Sequence, residues 1–170
     1  MLRLYILRHA KSSWAVPGAK DFDRELNDRG LADLDKIAAA LSRKDYIPAQ
    51  VLCSPAVRTR QTYDSILSAF GENLPEVSYL ENLYSSGVSE YLELLNGIES
   101  PSSVMIVGHN PMCGNLAASL AGSGDQSARE TIAYKYPTGT VTVLDFDFDS
   151  WSQVTPGSGK LLECIFPKGL

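Results

Sequence analysis

The chain has 170 residues, 44% hydrophobic and 21% charged, with a formal net charge of −5 and an isoelectric point near 5.0. That length fits a single globular domain, residues 1–170, with a core that buries roughly two thirds of the unfolded surface. The acidic balance offers no basic field for nucleic acid or an anionic membrane, and no apolar run approaches the ~18 residues a bilayer span needs.

The opening apolar stretch, residues 2–7 (LRLYIL), reads as a buried strand. It is interrupted by Arg3 and ended by Arg8 and His9, too short for a secretory leader, so the expected location is the cytoplasm. Asn27 precedes a helix that begins near Gly30 and carries Leu31, Leu34, Ala38 and Leu41 at helical spacing. QVLC (50–53) is a second, weaker strand. A helix follows from about Ala56 to Phe70, with Gly71 as its stop.

Tyr91, Leu92, Leu94, Leu95 and Ile98 predict a short helix ended by Ser100-Pro101, SVMIV (103–107) a further core strand, and 111–121 a helix closed by Gly122. Alternating strands and helices predict an α/β fold of three layers, a mostly parallel central sheet with helices on both faces. The last fifty residues differ. TVTVLDFDF (140–148) alternates Leu144, Phe146 and Phe148 with Val141, Val143, Asp145 and Asp147, and a Pro156-Gly157-Ser158-Gly159 turn leads to KLLECIF (160–166). These predict a C-terminal β-hairpin that includes an edge strand. Asp145, Asp147 and Asp149 read as a solvated face, since the loop and distal Glu of a calcium site are missing.

Cys53, Cys113 and Cys164 are odd in number and widely spaced, which argues for reduced thiols and against a disulfide framework or CxxC site. A thiol phosphatase would need an Arg six positions after its cysteine, whereas Arg58 follows Cys53 by five.

The chain has two histidines, His9 and His109, and each directly follows an apolar strand. In open α/β sheets the carboxyl ends of the strands form the ligand crevice, so residues a hundred positions apart can meet there. Arg58 lies in the first turn of the helix after Ser54-Pro55 and can point into the same crevice, and Arg8 adjoins His9. Two guanidinium forks and two imidazoles make an anion-binding pocket in an acidic protein and point to a phosphate-bearing substrate. For Arg58, with Arg60, a surface helix cation remains the plain alternative.

Arg8-His9-Ala10 resembles the RHG/RHA signature of the histidine phosphatase superfamily, which includes the phosphoglycerate mutases. SPAVRTRQT (54–62) resembles its SPxxRxxQT segment and VGHNP (107–111) its second-histidine segment. RHAKSSW (8–14), DFDRELNDRG (21–30), YPTGTVTVLDFD (136–147), Trp151 and PGSGKL (156–161) are similar, in order and spacing, to the SixA-type phosphohistidine phosphatases. The resemblance covers nearly the whole chain and implies roles. His9 is the nucleophile, Arg8, Arg58 and His109 surround the transferring phosphoryl group, and no metal or organic cofactor is required. Asn110 stands where some relatives carry an acidic Asp, so Glu81, three residues before Tyr84, is the nominated proton donor, with an exposed loop carboxylate as the plain alternative. Ser54, Asn27, Arg24 and Lys11 are second-tier candidates for phosphate or substrate binding, and helix capping is the simpler reading for Asn27. Asp21, Asp23 and Arg24 are placed at the entrance.

The expected activity is hydrolysis of phosphohistidine in a protein or of a small phosphorylated compound, by a monomer. A phosphomutase, a non-catalytic phosphoprotein-binding module and a metal-dependent hydrolase using both histidines are the competing readings, the last without an HxH or HxxE cluster to support it.

Overall fold

The computed structural model describes residues 1–14 and 16–170. The described residues form seven strands, β1 (Leu2–Arg8), β2 (Gln50–Cys53), β3 (Glu76–Tyr79), β4 (Ser103–Gly108), β5 (Ala121–Gly124), β6 (Val141–Phe146) and β7 (Gly159–Ile165). Six α-helices accompany them, α1 (Asp28–Arg43), α2 (Val57–Ser65), α3 (Asn82–Ser85), α4 (Val88–Asn96), α5 (Met112–Leu120) and α6 (Gln126–Tyr134). One sheet runs in the order β3-β2-β4-β1-β6-β7-β5. β2 pairs in parallel with β3 and β4, as do β1 with β4 and β5 with β7, while β6 runs antiparallel to β1 and β7.

Period-two side-chain alternation along these strands builds a core on each face of the sheet. Leu4, Ile6, Val104, Ile106, Leu144 and Phe146 pack with Tyr91 and Leu95 of α4 and Leu116 and Leu120 of α5. Tyr5, Leu7, Val51, Met105, Val107 and Val143 pack with Leu34, Ile37 and Leu41 of α1 and Tyr63 of α2. The three-layer α/β domain thus follows from strands that are apolar on both sides.

Several local expectations need correction. The predicted helix 56–70 is α2 followed by a 3-10 turn at Leu67–Phe70, with Gly71 at φ 58 as its stop. Gly122 does not merely end a helix, because Ala121–Gly124 continues as β5. β5 lies outside β7, so the antiparallel β6–β7 pair is interior and the edges are β3 and β5. Being interior, β6 buries both faces, and Val141 and Val143 are core residues rather than an outward face. Asp145 accepts a two-pronged hydrogen bond from Arg3, Nε to Oδ1 at 2.7 Å and Nη2 to Oδ2 at 2.9 Å, and only Asp147 and Asp149 are exposed. Leu31 lies on the outer side of α1, 43% exposed.

Candidate active site

The parallel β1–β4 pairing sets Arg8 beside Gly108, so the residues that follow, His9 and His109, leave neighbouring strand ends together. The His9 backbone N–H donates to the Gly108 carbonyl at 3.0 Å, and the two imidazole centroids are 5.3 Å apart. Both side chains are buried. Gly108 is required by Tyr91, whose hydroxyl would lie 2.5 Å from any Cβ there. That hydroxyl accepts from the His109 N–H at 3.2 Å and donates to the Leu83 carbonyl at 2.5 Å, tying β4 to α3 and α4.

His9 Nδ1 lies 2.7 Å from the Ala10 carbonyl oxygen, which can only accept, so Nδ1 carries the proton and Nε2 keeps its lone pair. Burial, aided by Arg58, Arg8 and Arg24, lowers His9 to about 4 against the opposing hydrogen bond to Ala10. Burial, His9 and Arg58 lower His109 to about 3. Both rings are neutral at pH 7. His109 Nε2 lies 2.7 Å from Ser54 Oγ, which also accepts from the Ala56 N–H at 3.4 Å. Ser54 Oγ has a proton to give and a second lone pair to accept with, so this contact orients the His109 ring in either tautomer, and Nδ1 is buried without a partner.

The segment 54–62 supports both histidines. Besides Ser54, Thr62 Oγ1 accepts from the Ala10 N–H at 3.1 Å, and Gln61 Oε1 accepts from the Leu26 N–H at 2.8 Å. Arg58, buried on α2, donates from Nη1 to the Asp21 carbonyl at 2.7 Å and from Nη2 to Asp21 Oδ2 at 3.0 Å. Arg8 donates from Nη1 to the Tyr136 carbonyl at 2.8 Å, which also accepts from Asn110. The Nε–H groups of Arg8 and Arg58 are buried and unpartnered. Gly139, at φ 76, donates its N–H to the carbonyls of both Arg8 and His9 and fastens the chain leading into β6 against the site.

These groups enclose a cavity of about 440 Å³ lined by Arg8, His9, Lys11, Arg24, Arg58 and His109, with Ser12, Trp14, Asn110 and Thr138 at its sides. The structure thus brings together every principal residue expected from the sequence except Glu81. Glu81 is exposed at the start of α3, makes no capping bond and lies outside the cavity lining. Asn27 is also outside; its Oδ1 caps α1 by accepting from the Gly30 N–H at 2.9 Å. Ser54 acts through His109. Lys11 lines the cavity, while Arg24 spends donors on Ser12, Ser13 and Asp21. The Asn110 amide is committed to the Tyr136 carbonyl and the Gly114 N–H.

Two contributors, Tyr84 and Trp14, are given no role of their own by the sequence. Tyr84 donates to Asp21 Oδ2 at 2.9 Å and packs edge-on against His109, with centroids 5.5 Å apart. Trp14 borders the cavity. Partial burial pushes the Asp21 carboxyl up, but hydrogen bonds from Arg24, Tyr84 and Arg58 outweigh it and hold Asp21 at about 2. Cys53 is fully buried and its thiol is pushed up by that burial, so it offers no thiolate. Among the described residues no cluster of three or more His, Cys, Asp or Glu is placed to hold a metal ion, and no helix is long and apolar enough to cross a membrane.

Comparison with known proteins identifies the fold and the family. The chain superposes on a protein from Agrobacterium tumefaciens solved as a candidate SixA phosphohistidine phosphatase, with a TM-score of 0.80, 33% identity and 98% of each chain covered. It is 32% identical over 166 residues to an uncharacterized protein of Mycobacterium tuberculosis, spanning 95% of this chain and 100% of that one. It is 30% identical over 124 residues to the phosphohistidine phosphatase SixA of Escherichia coli, covering 70% and 74% of the two chains. Residues 4–88 match the family model of the histidine phosphatase superfamily (branch 1), and the chain belongs to that superfamily.

Proposed function

We propose that the protein is a metal-independent phosphatase that passes the phosphoryl group through a covalent phosphohistidine on His9, and that its preferred substrates carry phosphorus on nitrogen. The observation that carries this reading is the pinned His9 ring: Nδ1–H held by the Ala10 carbonyl, Nε2 free, in a cavity lined by Arg8, Arg58 and His109. Two guanidinium groups and a second imidazole around one nucleophile suit the equatorial oxygens of a transferring phosphoryl group.

In the first step His9 Nε2 bonds to phosphorus as the bond to the leaving group breaks, its electron pair passing to the leaving atom. Water then attacks the phosphohistidine, Nε2 departs with its lone pair restored, and inorganic phosphate is released. The preference for nitrogen follows from the carboxylates. Asp21 is held at about 2 and stays ionised, and Glu81 is exposed with no side-chain bond that aims it at His9, so neither is a positioned acid in this reading. An alkoxide needs that proton, whereas an imidazole already protonated in the substrate leaves neutral.

The test is phosphate release, with EDTA present, from a phosphohistidine peptide and from the matched phosphoserine peptide. The expected kcat/KM favours the P–N substrate at least 100-fold. Equal rates would remove the preference for nitrogen, and loss of activity with EDTA that returns on adding metal would remove the metal-free mechanism.

A further inference from the structure

Trp14 is a large aromatic residue left 78% exposed at the rim of the cavity. It is nevertheless held in place, because the Arg24 guanidinium stacks on its ring, with Cζ 3.3 Å from the centroid. Arg24 is itself fixed, donating from Nη2 to Ser12 Oγ at 2.7 Å, from Nε to the Ser13 carbonyl at 3.2 Å and from Nη1 to Asp21 Oδ1 at 3.0 Å. Trp14 and Arg24 also border a second groove, about 630 Å³, whose lining includes Val16, Ala19 and Leu26. The indole therefore stands where the phosphoryl pocket opens into space for the rest of a substrate.

We propose that Trp14 is a specificity-determining platform on which a planar aromatic or heteroaromatic leaving group stacks while its phosphoryl group occupies the Arg8–His9–Arg58–His109 pocket. This inference rests on the phosphoryl-transfer reading of that pocket. Stacking tolerates different ring chemistries because every aromatic ring offers a π-face, and a ring fixed in advance by Arg24 loses little freedom on binding. The platform selects for ring-bearing leaving groups over aliphatic ones of similar charge.

Binding of phenylphosphonate and methylphosphonate, two non-hydrolysable probes, separates the possibilities. Calorimetry on the wild-type chain should show phenylphosphonate bound at least 10-fold more tightly. Its binding should quench the emission of Trp14, since the other tryptophan, Trp151, is only 1% exposed. Trp14→Ala should bring the two affinities within twofold of each other, and Trp14→Phe should restore most of the phenyl preference. If both probes bind and Trp14→Ala keeps the preference, the platform is wrong. If neither probe binds a wild-type protein shown to be folded, the phosphoryl-site reading fails and this inference fails with it.

Discussion

The floor and the rim of the site are built by different means. The floor hangs on the sheet: His9 and His109 follow paired positions of β1 and β4, both are buried, and each ring is oriented by a hydrogen bond. The rim is borne by loops and short helices, where Asp21 and Trp14 are exposed and are held by polar contacts from Arg58, Arg24 and Tyr84. A sheet-borne floor suits a reaction that demands fixed geometry, because strand register leaves little slack. A loop-borne rim suits recognition, which changes with few residues at little cost to the fold.

If the contrast holds, substitutions in the floor strike turnover and those in the rim strike binding. His9→Ala should reduce kcat by roughly 10⁴-fold or more, by loss of the nucleophile. Arg58→Ala should cost roughly 10²–10³-fold, as removal of one donor to the developing charge does, and a loss confined to KM would show that Arg58 only binds. Tyr91→Phe leaves the His109 N–H and the Leu83 carbonyl unpaired. Denaturant unfolding should read a loss of about 1–3 kcal/mol, and a neutral result would mean that water replaces the hydroxyl.

The two histidines also predict an acid response. With only two in the chain, NMR titration of the free protein should show both rings neutral well below pH 6.5, His9 protonating near 4 and His109 near 3. As pH falls below 6.5 the unfolded chain takes up protons that the folded chain refuses, so stability declines toward pH 4 and below. Arg58→Met removes one of the charges that depress His9 and should move its titration upward. Titration of either ring near 6.5 would show the floor to be wetter than the structure has it. The smallest effect is expected at Asn27→Ala, about 1 kcal/mol from the lost cap of α1, with kcat/KM unchanged. A fall in kcat/KM there would return Asn27 to the substrate.

The floor was legible in the sequence because it depends on short-range signals: an apolar strand followed at once by histidine occurs twice, and Ser54-Pro55 with Arg58 marks the start of α2. The edges of the fold were not. β5 is Ala-Gly-Ser-Gly, without β-branched or aromatic residues, and α6 buries only Ile132, so neither carries a periodic apolar pattern. α2 was found but misread in length, since of its buried residues Arg58, Thr59, Thr62 and Tyr63 only Tyr63 packs into the core. Asp21 was placed only at the entrance. That its carboxylate and carbonyl grip Arg58 depends on the path of the loop, which local residue preference does not encode.

The central claim concerns one nitrogen. Rapid quenching of the wild-type chain during turnover of a phosphohistidine peptide, followed by ³¹P NMR of the trapped protein, should show phosphate on His9 at Nε2, because Nδ1 is held by the Ala10 carbonyl. Phosphate on Nδ1, phosphate on another residue, or steady turnover with no phosphoenzyme at all would contradict the account.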